Sequence, residues 1–358
     1  MTVETKYCIN GRFLTRQPTG VDRYAREIVR ELDGVLRAGE AVLLVPDGCE
    51  PIDWEPMRNI QLLNYGKRGG LVWEQFDFAH YVREHDLLGV NLCNTAPLIN
   101  PGVVCIHDMA IRANKSNYSR KFLTWYRFLF SFLTRRAKVI LTVSEFSKSE
   151  IEKYYPAAIK KIVIAPNAWQ HMSSVEADFG ALEKYGLVKG GYWFAMSSLA
   201  PNKNLRWLVE TALINPSETI AIAGGINSKI FGEQDIPQAD NVSYLGYVSD
   251  GEGKALMHCC KGFLFPTYYE GFGIPPMEAM ASGAPFVAVS DTEVMHEIYG
   301  SSVAYVDPCV PCKSLDRVAA INVEDANYVL ERYSWKCSAE RVLDVLHGCS
   351  EFAEGIKG

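Results

Sequence analysis

The sequence predicts an α/β protein of two domains, each built on a parallel β-sheet covered by helices. Two observations predict this class. Short apolar strands alternate with helical patterns from end to end, which is typical of parallel sheets. The alternation restarts in the second half, and 358 residues exceed one core of ordinary size. We therefore expect domains at 1–167 and 168–337, with the break near Pro166–Asn167.

The first half contains apolar runs of strand length separated by helical patterns. The predicted strands are Tyr7–Asn10, Ala41–Val45, Val90–Cys93, Val103–His107 and Val139–Val143. A helix is predicted over Val21–Leu36, because apolar residues recur on one face at Tyr24, Ile28, Val29 and Leu32.

The second half repeats this organisation. Its predicted strands are Tyr192–Met196, Thr219–Ala223, Val242–Gly246, Gly262–Pro266 and Phe286–Val289. Its predicted helices are Leu205–Ala212, Asp250–Cys259, Met277–Ala281 and Asp291–Ile298. Two alternations of similar length indicate twin Rossmann-like domains. In such an arrangement we expect the ligand in the cleft, at the carboxyl ends of the strands.

Composition excludes several classes of protein. A hydrophobic share of 48% with 22% charged residues is the balance of a folded, water-exposed protein. The net charge of −6 gives no reason to expect nucleic acid as a partner. No apolar run reaches the roughly 20 residues that span a bilayer, and the N-terminus lacks a signal pattern. We expect a cytoplasmic protein, peripheral at most to the inner face of the membrane.

The ten cysteines are interpreted as reduced thiols rather than as disulfide partners or metal ligands. Cys309 and Cys312 form a C-x-x-C pair, but zinc would need a second pair, and Cys337 and Cys349 are not spaced as one. The chain also lacks an Asp-x-Asp, the usual carboxylate pair for a metal–diphosphate complex. The sequence therefore predicts no metal site.

The strongest signal is the run from Glu270 to Gly283, which reads as a glycine-rich turn followed by a helix. Gly271 and Gly273 let backbone N–H groups approach a ligand, and the helix N-terminus favours an anion such as a diphosphate. Prolines at the helix start cost nothing, because the first N–H groups lack internal partners. Glu270 and Glu278 would repel a phosphate unless they bind hydroxyls, so sugar and ribose hydroxyls are the expected ligands.

This run resembles the paired-glutamate motif of the family 4 glycosyltransferases, and the resemblance extends over nearly the whole chain. It implies the GT-B fold, retention of anomeric configuration and a C-terminal helix, about 338–358, that packs back on the first domain. The subgroup it most resembles is that of bacterial mannosyl- and rhamnosyltransferases of surface-polysaccharide assembly. The other matching segments are Asn10–Gly11–Arg12, Thr19–Tyr24, Ile106–Asp108, Thr142–Ser147, Pro166–Asn167, Pro201–Leu205 and Leu245–Ser249.

The resemblance implies a role for each matching residue. Lys203 would neutralise the donor diphosphate, with the amides of Phe272, Gly273 and Ile274 beside it. Glu270 would bind a hydroxyl of the donor sugar and Glu278 the ribose hydroxyls. The remaining implied site residues are Tyr247 and Val248 at the base, Gly20 at the diphosphate and His107 beside the reacting sugar.

The chain departs from part of the family where a second phosphate-binding arginine is common. Ser197 stands at the matching strand end, and Asn202 stands where arginine is also frequent. Lys203 is then the one side-chain cation of that loop. Arg23 and Arg112 are the candidates to compensate on the acceptor and phosphate side.

Two further segments have two interpretations each. Ser119–Lys138 is basic and aromatic, in a stretch without acidic residues between Asp108 and Glu145 that includes Lys115. Its helix is either simply core on its apolar face or a contact for anionic membrane or a lipid-diphosphate acceptor. Trp73–Glu74–Gln75 lines the acceptor side or anchors a helix, and anchoring is favoured.

These observations predict a retaining hexosyltransferase that moves mannose or rhamnose from a GDP-, UDP- or dTDP-linked donor to a glycan or polyprenyl-linked glycan, with no other cofactor. A catalytically silent nucleotide-sugar-binding subunit is the alternative of another class. A nucleotide-sugar epimerase would carry a different set of histidines and glutamates. A dehydrogenase is least favoured, because no Gly-x-Gly-x-x-Gly follows the first strand.

Overall fold

The structure, a computed structural model, describes residues 4–113, 120–196, 200–225 and 236–357, with side chains through Cys349. The chain divides into two compact units. Of the described residues, the first comprises 4–112, 120–167 and 335–357, and the second comprises 168–334 with Ala113. Ser197, Lys115 and Ser119, which the sequence analysis singled out, lie outside the described residues.

The first unit contains a seven-stranded parallel sheet in the order β3-β2-β1-β4-β5-β6-β7. Its strands are β1 (Tyr7–Asn10), β2 (Ala41–Val45), β3 (Gln61–Asn64), β4 (Leu88–Asn91), β5 (Val103–Cys105), β6 (Val139–Thr142) and β7 (Ile162–Ile164). The strand order reverses between β1 and β4. The loops after these two strands are therefore the expected ligand position in this sheet.

The helices of the first unit flank this sheet. They are α1 (Gly20–Val35), α2 (Gly70–Trp73), α3 (Ala79–Glu84), α4 (Ala110–Ala113), α5 (Arg120–Arg136), α6 (Glu145–Tyr154) and, from the end of the chain, a helix over Trp335–Lys357. A π-helical turn, Glu74–Phe78, joins α2 to α3, and short 3₁₀ turns span Gly11–Thr15 and Pro156–Ala158.

The apolar face of α1 is buried as the sequence predicts, with Tyr24, Ile28, Val29 and Leu32 fully inaccessible. The C-terminal helix packs against α1, and Trp335 meets Tyr24 edge to face at a centroid distance of 6.0 Å. The Ser338 hydroxyl of this helix donates to the Pro166 carbonyl at 2.7 Å. The C-terminal segment is thus an integral part of the first core.

The second unit contains a six-stranded parallel sheet in the order β10-β9-β8-β11-β12-β13. Its strands are β8 (Tyr192–Met196), β9 (Thr219–Ala223), β10 (Val242–Gly246), β11 (Gly262–Phe265), β12 (Val287–Ser290) and β13 (Ala304–Val306). The order is the same as in the first six strands of the other sheet, and it reverses between β8 and β11. Both units are therefore doubly wound Rossmann-like sheets.

The helices of the second unit follow its strands in alternation, as in the first. They are α7 (His171–Ser174), α8 (Gly180–Lys184), α9 (Leu205–Ile214), α10 (Asp250–Cys259), α11 (Ile274–Ala281), α12 (Glu293–Tyr299), α13 (Leu315–Ala319) and α14 (Asn327–Leu330), so that the C-terminal helix is α15. A 3₁₀ turn over Pro201–Lys203 precedes α9. None of the helices described is long and apolar enough to cross a bilayer.

Three strands were missed by the sequence analysis, and all three lie at sheet edges: β3, β7 and β13. They have three or four residues, and none is buried along its whole length, so their apolar signal is weak. The helix α11 starts at Ile274 rather than at the predicted Met277. Pro275 and Pro276 are accommodated within its first turn, where no internal N–H bond is lost.

Candidate functional site

The glycine-rich loop follows β11 and leads into α11. Since β11 pairs with β8 at the point where the strand order reverses, the loop lies at the expected ligand position of the second sheet. The turn Pro201–Lys203 lies next to it, although more than 60 residues separate the two segments. The sequence-predicted lysine and paired-glutamate motifs are therefore brought together in one unit.

Side-chain and backbone hydrogen bonds join this turn to the loop. Asn204, in the left-handed conformation at φ 59°, donates from Nδ2 to the carbonyls of Pro266 at 2.8 Å and Pro308 at 2.7 Å. The Tyr268 N–H donates to the Asn202 carbonyl at 2.9 Å, and Asn202 Nδ2 donates to the Tyr269 carbonyl at 3.4 Å. Asn202 thus serves the backbone of the loop in place of an arginine.

Lys203 and Glu270 form an ion pair, with 2.7 Å between Nζ and Oε1. The side chains are 20% and 12% exposed, so water still reaches both. The ammonium group also lies 5.6 Å from the centroid of the Phe265 ring. The pair balances the lysine charge next to the loop, and it fixes both groups at one edge of the sheet.

Gly273 is required at the start of α11 by both conformation and space. Its φ of 85° is rarely adopted by other residues, and a Cβ there would lie 2.6 Å from Met295 Cε. The Tyr299 hydroxyl donates to the Gly273 carbonyl. Complete burial raises the pKa of Tyr299 well above its ordinary value, so this hydroxyl stays protonated as a donor.

The N–H groups of this site precede Pro275, in the loop and at Ile274, the first residue of α11. Phe272 is buried edge to face against Tyr333, at 5.2 Å between centroids, so its ring is committed to packing. Within the described chain, the amides of Phe272 and Gly273 donate to no other residue. Pro275 and Pro276 have no N–H to offer. An anion here would therefore contact loop amides at the positive end of the α11 dipole.

Glu278 has a partner that sequence reasoning missed. His171, the first residue of α7, lies 2.9 Å from Glu278 Oε1 through Nε2, and both residues are buried. They are 107 positions apart in the chain, and His171 opens a polar stretch that reads as a connection between domains. No local signal could have paired them. The contact orients the Glu278 carboxylate.

The predicted base-binding loop follows β10. Tyr247 is 72% exposed and Val248 is buried. Ser249 caps α10: its hydroxyl accepts from the Glu252 N–H at 3.2 Å, and its N–H donates to Glu252 Oε2 at 2.9 Å. The cap holds the backbone of the loop while the Tyr247 ring remains open to a ligand.

His107, in the first unit, is 6% exposed and follows β5. Its Nε2 lies 2.8 Å from the Leu92 carbonyl, which can only accept, so Nε2 carries the proton. The ring meets Tyr24 edge to face at 4.9 Å. Burial lowers the pKa of His107, so the ring is neutral and only Nδ1 remains as an acceptor.

The other predicted residues of the first unit differ in their exposure and in their contacts. Gly20 is the exposed first residue of α1, directly after the capping residue Thr19. Arg23, in the same turn, is half-buried. Arg112 points its guanidinium at the Tyr155 hydroxyl, at 3.0 and 3.2 Å, and at the Tyr155 ring at 5.0 Å. Arg112 therefore already has a packing role within its own unit.

Comparison with protein families gives a match within the second unit. Residues 192–316 match the family model described as Glycosyl transferases group 1. The matched segment contains Lys203, Glu270 and Glu278, so the strand-end loops described above lie within the region that is similar to this family.

Two curated relatives extend the similarity. The O-antigen chain mannosyltransferase RfbU of Salmonella typhimurium is 30% identical over 220 residues, 60% of this chain and 59% of its own length. The O-antigen chain mannosyltransferase B of Escherichia coli is 28% identical over 320 residues, 81% of this chain and 83% of its own. The chain thus spans just over half of the first relative and most of the second.

Solved structures show the fold of the whole chain. WaaG, a glycosyltransferase involved in lipopolysaccharide biosynthesis, aligns with a TM-score of 0.69 at 13% identity, covering 96% of this chain and 100% of WaaG. Together with the two parallel sheets, this similarity establishes the predicted GT-B fold, and the residues that match the group 1 model lie in the second unit.

Proposed function

We propose that the chain is a retaining, metal-independent glycosyltransferase of surface-polysaccharide synthesis that transfers mannose or rhamnose from a nucleotide diphosphate donor. The observation that carries the proposal is the meeting of Lys203, Glu270 and the Phe272 and Gly273 amides at one sheet edge. A cation and open amides suit a diphosphate, and a carboxylate beside them suits a sugar hydroxyl. The mannosyltransferase names of the two relatives support the choice of sugar.

Each group has one role in this proposal. Lys203 exchanges its contact with Glu270 for the diphosphate, and Glu270 turns to a sugar hydroxyl. Glu278, oriented by His171, accepts from the ribose hydroxyls. The base lies against the exposed Tyr247. His107 offers its neutral imidazole to the reacting sugar.

The chemical step is substitution at the anomeric carbon on one face of the sugar. The bond from this carbon to the phosphate oxygen breaks, and the bond to the acceptor oxygen forms on the same side. The acceptor proton passes to the leaving phosphate oxygen, so no protein base is needed. Lys203 and the loop amides stabilise the negative charge that develops on the diphosphate, in the place of a metal ion.

For the acceptor we propose a glycan carried on a polyprenyl diphosphate at an anionic membrane surface. The structure confirms the core interpretation for one face of α5, where Leu123, Leu129, Phe130 and Leu133 are buried. The opposite side supports the membrane interpretation. Its side chains include the exposed Phe128, whose ring lies tilted against that of Phe132 at 4.6 Å between centroids, with Arg136 lying 5.2 Å from the Phe132 ring. Aromatic and basic groups on one face are typical of interfacial helices.

A thermal-shift panel of GDP-, UDP- and dTDP-sugars tests the donor, because a ligand present at about 100 times its Kd stabilises the fold by about 2.7 kcal/mol. We expect the sugars of one nucleotide to raise the melting temperature of the wild type. In the Glu278→Ala variant this rise should be smaller, because the contacts with the ribose hydroxyls are lost. Transfer is then followed by NMR of the product, with an α-linkage from an α-donor expected.

Three outcomes contradict the proposal. Binding without transfer or hydrolysis, on membranes bearing lipid-linked glycan, would favour a catalytically silent sugar-nucleotide-binding subunit. Inversion of the anomeric centre would exclude the retaining mechanism. Loss of activity on treatment with a chelator, restored by Mg²⁺ or Mn²⁺, would exclude metal independence.

A further inference from the structure

The first unit has a small recess of its own at the carboxyl ends of β1 and β4, where its strand order reverses, and Phe13 and Leu92 form the apolar part of its lining. Asn10 is the last residue of β1, and Cys93 and Thr95 follow β4. Arg12, Arg16 and Glu74 complete the polar lining. A doubly wound sheet binds its ligand at this position. None of the residues assigned above to donor binding lines this recess.

Glu74 is 1% exposed, and its two carboxylate oxygens differ in their hydrogen bonds. Oε2 accepts from Asn10 Nδ2 at 2.9 Å and from Thr95 Oγ1 at 2.8 Å, with Arg12 Nη2 at 3.4 Å. Oε1 has no hydrogen-bond partner among the described residues. A buried charged oxygen without a partner is costly, and such groups in folded proteins serve a ligand or a bound water.

The surrounding network holds the Glu74 carboxylate in place. Asn10 Nδ2 also donates to Asn91 Oδ1 at 3.0 Å, and Arg12 Nη2 donates to Thr95 Oγ1 at 2.7 Å. The donors of Asn10, Arg12 and Thr95 are therefore directed at Oε2 or at one another's side chains and at Asn91, and none is directed at Oε1. Oε1 is left as a pre-oriented acceptor, and because it is buried, an O–H or N–H group has to enter the recess to reach it.

The residues on either side of Glu74 are fixed by structure and not by a ligand. Trp73 is fully buried and donates from Nε1 to the Tyr65 carbonyl at 2.7 Å, which confirms it as an anchor. Gln75 donates to the Ala96 carbonyl at 2.8 Å and accepts from the Leu98 N–H at 2.9 Å. Glu74 lies between them at the start of the π-helical turn, a distortion often found at functional sites.

The charges of the recess favour an uncharged ligand rich in hydroxyls. Arg12 lies against Glu74, and Arg16 is bound to Asp22 at 2.6 and 3.0 Å, so both guanidinium groups are balanced. An anion would find no excess positive charge, and a cation no excess negative charge. A sugar offers hydroxyl groups that donate to a carboxylate and accept from a guanidinium, so it matches this lining.

We propose that Glu74 Oε1 accepts a hydrogen bond from a hydroxyl group of the acceptor sugar, and that this recess recognises the acceptor in the first unit. The proposal rests on the proposed glycosyl transfer, which makes a sugar the second substrate. It assigns Glu74 to acceptor binding, with Asn10, Arg12 and Thr95 as the residues that position its carboxylate.

The test measures binding of simple sugars without any requirement for turnover. Methyl α-mannoside, methyl α-rhamnoside and methyl β-N-acetylglucosaminide are titrated into the full chain, with saturation-transfer NMR as the readout. Glu74→Gln replaces a charged acceptor by an amide of the same shape, and we expect the Kd for the bound glycoside to rise about tenfold. Glu84→Gln, an exposed glutamate on α3, is the matched control and leaves the Kd unchanged.

Nucleotide binding is measured on the same samples with GDP, UDP and dTDP. Glycoside binding lost in Glu74→Gln, with nucleotide binding intact, supports the proposal. Nucleotide binding without binding of any glycoside overturns it and leaves the proposed function standing. Glycoside binding without any nucleotide binding supports the recess and counts against the proposed function.

A crystal of the wild type soaked with the bound glycoside decides the matter if Glu74→Gln does not fold. We expect a sugar oxygen within about 3.2 Å of Oε1, the reach of an ordinary hydrogen bond. A water molecule alone at Oε1, with the glycoside elsewhere, would overturn the assignment.

Discussion

The two sheets share one order over six strands, yet the side chains gathered at their reversal points carry different arrangements of charge. In the second unit, Glu270 is balanced by the flexible cation Lys203, and both side chains are reached by water. In the first unit, Glu74 is held by two uncharged donors and a more distant Arg12, and it is shut off from water. The reversal point thus carries an ion pair in one unit and a buried network around Glu74 in the other, although Glu74 comes from the segment between β3 and β4 and Glu270 from the loop after β11.

This difference suits two kinds of ligand. An ion pair between mobile groups can open, so that the lysine meets a diphosphate and the glutamate a hydroxyl. A carboxylate whose donors are all committed cannot rearrange, and it selects one hydroxyl at its remaining oxygen. Under the two proposals above, a fold present twice places a charged ligand on one sheet and an uncharged one on the other. Four measurements would break or sharpen this comparison.

The largest effect is expected from Lys203, because its charge has no substitute in the loop. We predict that Lys203→Ala lowers kcat/KM for transfer by roughly 10²–10³, as for the loss of one preorganised electrostatic group. Arg206→Ala, which removes a cation from an exposed ion pair on the neighbouring helix α9, serves as control and should change the rate less than about twofold. Equal rates for the two variants would mean that the second unit does not use this cation.

The next effect concerns stability at the start of α11. Gly273→Ala combines a strained φ with a clash against Met295, whereas Gly246→Ala has a φ of 70° and open space around the added Cβ. We predict a loss of about 1–2 kcal/mol in the free energy of unfolding for Gly246→Ala and about 1–3 kcal/mol more for Gly273→Ala. Urea titrations measure both. A similar loss in the two variants would show that Met295 moves aside.

A smaller effect is expected at the pair His171–Glu278. If His171 orients the carboxylate, His171→Phe raises the donor KM about tenfold while kcat stays within about twofold, since a positioned charged hydrogen bond is lost. A donor lacking the ribose 2′-hydroxyl should bind wild type and variant equally. The double variant with Glu278→Gln should be no weaker than Glu278→Gln alone. Additive losses would show that His171 acts independently of Glu278.

The smallest effect is the pH dependence due to His107. Its pKa in the folded chain is lowered from the ordinary 6.5 by burial, so the unfolded chain binds a proton more readily. The contribution of the neutral ring is therefore complete above pH 6.5 and is lost as the pH falls below it. Melting temperatures of wild type and His107→Asn, followed from high to low pH, should converge in acid. A constant difference would contradict a buried neutral histidine.

Much of this architecture could be predicted from the sequence because it depends on local pattern. Buried central strands such as β1 and β8 are continuous apolar runs, and the glycine turn before Pro275 and Pro276 has its own conformational signature. The edge strands β3, β7 and β13 were missed, since they have only three or four residues and none is buried along its whole length. The roles of His107, Lys203 and Glu270 stay predictions, although the structure brings Lys203 and Glu270 together.

The contacts that could not be predicted join residues far apart in the sequence. The contact of His171 with Glu278 spans 107 residues, and that of Asn10 with Glu74 spans 64, so no window of sequence contains either. Three adjacent residues have three different environments. Trp73 is buried in the core, Glu74 lines the recess, and Gln75 hydrogen-bonds the backbone of the loop at Ala96. A pattern of residue types cannot separate them, because the π-helical turn changes which side chain faces which neighbour.

Asn204 has a consequence for how the protein becomes competent to bind. Its amide joins the end of β11, 62 residues away, to the segment after β13, 104 residues away. Closing such long loops is slow and costs chain entropy, and it becomes favourable only when the intervening strands are already paired. The lysine turn should therefore acquire its final shape late in folding. Nucleotide binding during refolding would then report completion of the second sheet as a whole, and a nascent chain ending before Pro308 would remain unable to bind.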